Sequence, residues 1–366
     1  MKNPDSIHYF ADSILLRHPA KKNLFLGIGD LIIQVQSNSD FLLDDLRLYF
    51  KEFISCESGA DIIVYALEAA VEKFPLSFYE KEPDPGKTKI KEKYVDLADG
   101  RIVRKRLTGM TFIFNGHFNL AVGPCLENSN QIVNFINNRF IEWMLRRESL
   151  LAHAAGVCMG NRGMALAGFS GSGKSTLALH LLDRGASFVS NDRLLVRKQG
   201  TAIDMYGIPK HPRVNPGTVL SIDKLMNVMS EKKRKAFKRL NPDELWDLEH
   251  KYDVVIHEYF GENKFHLRAP MNGLLILNWR RNDCSLVIRP VEIAARHDLL
   301  AAFIKSPGLF FMPAAGETMP DLSPGHYIDM LSNCSIFEAT GGLDFKWATD
   351  FCLEFMQQGQ EDDTAA

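Results

Sequence analysis

The sequence predicts an α/β protein of two domains, and three observations carry that prediction. A glycine-rich loop at residues 168–173 stands between the apolar run 164–167 and a helical pattern that begins at Lys174. From Leu150 onward strand, loop and helix signals alternate tightly, as in an open α/β layer. Before about residue 145 the pattern is a mixture of short strands and two helices, which reads as a mixed α+β N-terminal domain. The expected boundaries are 1–147 for the N-terminal domain, 148–357 for the second domain and 358–366 for a polar tail. With 366 residues the chain has room for two cores of ordinary size.

In order along the chain, residues 24–26 and 31–35 are apolar strands around a Gly-Ile-Gly-Asp turn. Residues 41–53 have helical spacing, with Leu42, Leu43, Leu46, Leu48, Tyr49 and Phe53 supplying an apolar face. A buried strand at 61–67 is followed by a proline- and charge-rich connection at 75–87. Strands at 94–97, 101–107, 110–115 and 118–122 are separated by Asp-Gly, Thr-Gly and Asn-Gly turns. No chemical motif lies here, so regulation, oligomerisation or partner choice is the expected role. Residues 131–147 form a long helical pattern that bridges to the second domain. There, 154–159 and 163–167 are small-residue strands joined as a hairpin through Gly160-Asn161-Arg162. The helix from Lys174 runs to Arg184 and stops at Gly185, and 187–190 is a short strand. A charged helical stretch at 230–250, a buried strand at 273–279 and a strand at 286–289 come next. A helix over 291–304, a strand near 335–338 and a closing helix over 343–356 complete the domain.

Composition narrows the class. The chain is 46% hydrophobic and 24% charged, which is globular, and its net charge of −2 argues against a general nucleic-acid binder. Six scattered cysteines without a C-x-x-C pair read as reduced thiols, not a disulfide frame or zinc site. The first residues lack the apolar core of a signal peptide, and no segment reaches the length of a membrane span. The expected location is cytoplasmic.

The chemistry centres on Gly168, Phe169, Ser170, Gly171, Ser172, Gly173, Lys174, Ser175 and Thr176, a complete G-x-x-x-x-G-K-[ST] phosphate loop. The glycines let successive N–H groups turn toward an anion, and the helix start adds its unsatisfied donors and positive dipole end. Lys174 is placed to reach the β- and γ-phosphates, and the Ser175 hydroxyl to join a Mg²⁺ shell. With every fixed position present and both flanks correct, a chance glycine turn explains the pattern poorly. The strands at 164–167 and 187–190 flank a helix, so they run parallel and end on one edge, where ligands of such sheets bind. Asp192 follows the second strand and arrives beside the phosphates, able to hold Mg²⁺ or accept a proton. Counting outward from Asn161 sets His153 opposite Phe169, again beside the loop. By spacing alone that histidine is as readily structural as functional. Lys210, His211 and Arg213 form a rigid basic loop suited to a substrate groove, while Arg280-Arg281 reads either as a transition-state arginine or as an exposed turn. The run Lys232 to Arg239 is a solvated helix face or a docking surface.

Residues 153–157 (His-Ala-Ala-Gly-Val), the loop at 168–176 and the stretch Arg184-Gly-Ala-Ser-Phe-Val-Ser-Asn-Asp-Arg193 together resemble the catalytic core of HPr kinase/phosphorylase. More narrowly they resemble the HPr kinase-related kinases of the kinase B subgroup, with the match covering about 150–197. The resemblance implies a P-loop kinase domain of the HPr kinase/phosphoenolpyruvate carboxykinase type, using ATP and Mg²⁺ to phosphorylate a serine on a small protein. It assigns catalytic roles to His153, Lys174 and Asp192, with Asp192 as proton acceptor, and metal-binding roles to Ser175 and Asp192. Members of the family are commonly oligomeric, so a homo-oligomer is among its implications; nucleic acid and membrane are not. Asn191 stands where the family has the first of two aspartates, and no clear counterpart of its second, glutamate-bearing signature follows Asp204. Arg289-Pro290 is a partial match to its later arginine element. A kinase for a small hydroxylated metabolite, and a nucleotide-binding regulatory protein with little catalysis, are the alternatives.

Overall fold

A computed structural model describes all residues except 1–4, 58, 84–87, 249, 315 and 359–366, so nearly all of the expected polar tail lies outside the described residues. The chain forms two compact units. One runs to Trp143 and takes in Pro307–Pro320; the other holds Met144–Ser306 and the chain from Asp321 onward. The grouping of Pro307–Pro320 with the first unit is not evident in the sequence pattern.

The first unit contains α1 (Ile7–Arg17), β1 (Lys22–Ile28), β2 (Leu31–Ser37), α2 (Asp40–Tyr49) and β3 (Ile62–Glu68). It continues with β4 (Tyr79–Glu80), β5 (Glu92–Leu97), β6 (Gly100–Lys105), β7 (Thr111–Phe114), β8 (Asn119–Gly123) and α3 (Ser129–Leu145). The strands make one eight-stranded sheet in the order β1-β2-β3-β8-β7-β6-β5-β4. Helix α1 was absent from the sequence expectation, although Ile7, Phe10, Ala11 and Ile14 have the required spacing and are buried against Leu67, Ile102, Ile113 and Leu120. Phe310, from the returning segment, packs among Phe112, Phe114 and Phe135. The buried Arg139 guanidinium lies over Phe114 and Phe135, pairs with Glu142 at 2.5 Å and donates to the Phe310 carbonyl.

The second unit begins with β9 (Leu150–Ala152), β10 (Ala154–Met159), β11 (Arg162–Gly168), α4 (Lys174–Asp183) and β12 (Ser187–Ser190). Then come β13 (Leu194–Gln199), β14 (Ala202–Tyr206), β15 (Arg213–Val214), α5 (Pro216–Leu220), α6 (Glu231–Phe237), α7 (Pro242–Asp247), β16 (Tyr252–Asp253) and α8 (Ile256–Phe260). The unit closes with β17 (Arg268–Pro270), β18 (Gly273–Leu277), β19 (Val287–Pro290), α9 (His297–Leu300), α10 (Pro324–Met330), β20 (Ser335–Thr340) and α11 (Phe345–Gln357). A six-stranded mixed sheet has the order β12-β10-β11-β18-β20-β19, and a four-stranded sheet has the order β17-β14-β13-β9. Strand alternation divides the core between two layers. On β11 and β18, Met164, Leu166, Leu275 and Leu277 face α4 and α11, while Ala165, Ala167, Leu274 and Ile276 face the second sheet. Burial on both faces makes these strands continuously apolar.

Several expectations are corrected. The hairpin between β10 and β11 closes through Gly160-Asn161 alone, with Met159 opposite Arg162. Gly160 takes φ 58°, the left-handed backbone a two-residue turn requires. Register therefore shifts by one residue from the count centred on Asn161. Strands β11 and β12 do point the same way, but antiparallel β10 lies between them. The charged stretch at 230–250 is two short helices, the second restarting at the capping box of Asn241 and Glu244. The helix expected over 291–304 is interrupted at Arg296, whose φ of −128° and ψ of 54° are non-helical and whose guanidinium is held by Asp298 and Glu338.

Candidate active site

The glycine-rich loop leaves β11 and enters α4, at the carboxyl edge shared by β11, β18 and β20, which run parallel. Gly168, Gly171 and Gly173 have φ of 153°, 83° and 91°. Gly173 has a second constraint, because a Cβ there would come within 2.7 Å of the Phe345 ring. The crest formed by Phe169, Ser170 and Gly171 is exposed, while Lys174 and Thr176 are buried and Ser175 half-buried. The Trp279 indole N–H donates to the Ser172 carbonyl at 2.7 Å and ties the loop to the end of β18. Lys174 arches back over the loop and donates to the carbonyls of Gly168 at 2.5 Å and Phe169 at 3.2 Å. Burial pushes its ammonium down to about 8, with Lys305 adding to the effect and Asp192 opposing it.

His153 and Asp192 are brought together by a shared feature of the topology. His153 is the residue at which the chain passes from β9, in the four-stranded sheet, to β10, in the six-stranded one. Asp192 lies in the reverse passage, from β12 to β13. Because Ala152 pairs with Leu194 on one side and Gly156 with Ser190 on the other, the two crossings are held side by side. The His153 Nε2 atom stands 3.1 Å from Asp192 Oδ1. The Ser190 hydroxyl donates to the Arg193 carbonyl and tightens the turn that carries Asp192.

Lys305 is a member of this cluster that sequence reasoning missed. Its Nζ is 3.9 Å from Asp192 Oδ2, and it is placed there by backbone pairing of the segment after α9 with β9. The Phe303 carbonyl accepts from the His153 N–H at 2.6 Å, and the Lys305 N–H donates to the Leu151 carbonyl at 3.2 Å. No local spacing announces a contact spanning half the second unit. Burial alone would raise the Asp192 carboxyl. The hydrogen bond from His153 and the charges of Lys305, His153 and Arg193 outweigh it and hold the group well below the usual carboxylate range.

Of the basic loop at 206–213, Lys210 belongs to this electrostatic environment: burial and Arg193 lower its pKa while Asp192 opposes them. His211 is buried and accepts from the Ile256 N–H, and Arg213 pairs with Asp253 at 3.0 Å. Arg289 is exposed on the edge strand β19, opposite Glu338 and short of the carboxyl edge.

Two buried oxygens at the site have no hydrogen-bond partner among the described residues, Ser172 Oγ in the loop and Asn191 Oδ1 beside Asp192. The Ser175 hydroxyl and the Asp192 carboxylate are further hard oxygens, the ligand type that Mg²⁺ takes. No group of three His, Cys, Asp or Glu side chains suited to a metal occurs among the described residues.

No family model matches the chain, and no curated protein does. Among solved structures, the HPr(Ser) kinase/phosphatase from Coxiella burnetii is matched at 10% identity over 59% of this chain and 95% of that one, with a TM-score of 0.29. An overlap that loose carries no argument about chemistry. No described helix is long and apolar enough to cross a membrane.

Proposed function

We propose that the second unit is an ATP- and Mg²⁺-dependent phosphotransferase, related to HPr kinase, that transfers the γ-phosphoryl group to a serine hydroxyl of a partner protein. The observation that carries this is the juxtaposition of a carboxylate, Asp192, with the buried loop ammonium Lys174, the His153 imidazole and the Lys305 ammonium. A hydroxyl kinase needs a proton acceptor beside the γ-phosphate. Asp192 accepts the serine proton as the serine oxygen bonds to the γ-phosphorus. The bond from that phosphorus to the β,γ-bridging oxygen breaks, and ADP departs. Lys174 and the N–H groups of residues 170–174 stabilise the charge on the transferring group. His153 and Lys305 keep Asp192 ionised and hold its carboxylate in place. Ser175, Asp192 and the Asn191 side-chain oxygen would hold Mg²⁺, which would supply charge neutralisation to the phosphates when bound.

Asp192→Asn separates binding from chemistry. Its ATP affinity, by calorimetry, is expected to stay close to that of the unaltered protein while transfer is lost. Undiminished turnover in this variant rules out Asp192 as the base. The Asn191 substitution favours a second outcome, nucleotide retention without transfer, in which the unaltered protein itself binds ATP and never turns it over.

A further inference from the structure

A stack of flat side chains leads away from the phosphate loop. Phe345, the ring that a Cβ at Gly173 would strike, lies nearly parallel to the His180 imidazole, with centroids 5.6 Å apart. Trp246 stacks on Phe345 at 5.9 Å and 19°, and Trp279 meets the same ring edge-on at 5.4 Å. The Arg281 guanidinium lies over the Trp246 ring, 5.4 Å from its centroid. Trp246 and Phe345 are half-buried and Arg281 is exposed, so the outer members of the stack meet solvent.

Position ties this stack to the loop. The Thr176 hydroxyl, on the first turn of α4, is bonded to Thr218 at 2.7 Å, and Thr218 lies on α5. Its neighbour Gly217 packs against Trp246 so closely that a Cβ there would stand 3.1 Å from the indole. In a phosphate loop the β- and γ-phosphates lie against the lysine and the α-phosphate toward the start of the helix. The sugar and base are therefore directed to the helix start, on the side where α4, α5 and Trp246 meet. The stack ends on a half-buried indole with the exposed Arg281 guanidinium laid across it, a surface suited to another flat π-system.

We propose that Trp246 and Arg281 form the nucleobase subsite of this loop, the base taking the guanidinium's place on the indole and the guanidinium moving out over the base. The proposal rests on the reading of residues 168–176 as a nucleotide site. Calorimetric titration with MgATP and, separately, with magnesium tripolyphosphate distinguishes the two claims. The unaltered protein should bind ATP more tightly than tripolyphosphate. Trp246→Ala should weaken ATP binding roughly ten- to hundredfold, as loss of one base-stacking partner does, with tripolyphosphate affinity unchanged. Trp246→Phe should recover most of the ATP affinity, and the exposed Arg281→Ala should lose part of it. Equal affinity for the two ligands, or ATP binding in Trp246→Ala matching the unaltered protein, overturns the base subsite and leaves the phosphate site standing. Parallel loss of both ligands in Trp246→Ala and Trp246→Phe overturns it in favour of a packing role. Binding of neither ligand by the unaltered protein removes the nucleotide reading and the subsite together.

Discussion

Lys174 and Asp192 are held in opposite electrostatic conditions by the same few ångströms of protein. Burial lowers the Lys174 pKa from 10.5 to about 8. Between those values the unfolded chain holds a proton that the folded protein has released, so stability rises with pH across that window. Below it the buried charge carries a cost that bound phosphates would relieve. Lys174→Met is accordingly expected to abolish transfer yet gain on the order of 1–3 kcal/mol of stability at pH 7, a gain that shrinks as pH rises from 8. Chemical denaturation at pH 7 and pH 9.5 checks both parts. Asp192 is likewise pulled below its ordinary range, chiefly by His153, which favours its charged form where burial disfavours that of Lys174. The acid limb of the kcat/KM profile should therefore lie below the usual carboxylate range and move to higher pH in His153→Ala. An acid limb that does not respond to that substitution would disconnect the two residues. Asp192 is half-exposed, and its ion pairs are best regarded as devices for orientation and charge, with little weight in stability.

Among the elements, the β11–loop–α4 unit and β12 were legible because every signal in them is local: an apolar run, fixed glycines, a helix and its glycine stop. Asp192 was reachable from sequence by the carboxyl-edge argument, and His153 by hairpin counting that proved one residue out. The cause that unites them was not legible. It is the double passage between two sheets, and the second sheet itself, β9 with β13, β14 and β17, escaped notice. Strands buried on both faces lose the alternation that would reveal what covers them. Lys305 was invisible for a related reason, since its place depends on pairing with β9 and not on its neighbours. The packing of the loop also shows only in three dimensions. Gly173 combines φ 91° with Phe345 pressed against it. Gly173→Ala should cost on the order of 1–3 kcal/mol in urea unfolding and weaken ATP binding, since backbone strain and the clash act together. A variant that unfolds at the same urea concentration would show the loop to be more yielding than this.

At the scale of the whole molecule, the chain enters the second unit at Met144, leaves it at Ser306 and re-enters at Asp321. The first unit is thus completed by a segment from beyond residue 300. The cluster of Phe112, Phe114, Phe135 and Arg139 lacks its covering ring and one of its carbonyl acceptors without Phe310. Phe310→Ala is expected to destabilise the protein by roughly 2 kcal/mol, a half-buried share of the usual aromatic truncation, seen as an earlier denaturation midpoint. Nothing in the local sequence of 307–320 marks this role, because its partners are all distant in the chain. The acceptor of the proposed transfer is identified by labelling it directly. The direct measurement is incubation of the protein with γ-labelled ATP, Mg²⁺ and a lysate of its source, followed by separation of protein from small molecules. A labelled protein band containing phosphoserine, present with the unaltered chain and absent with Asp192→Asn, is the predicted result. Label confined to a small molecule, or ATP retained with no transfer to anything, would contradict it.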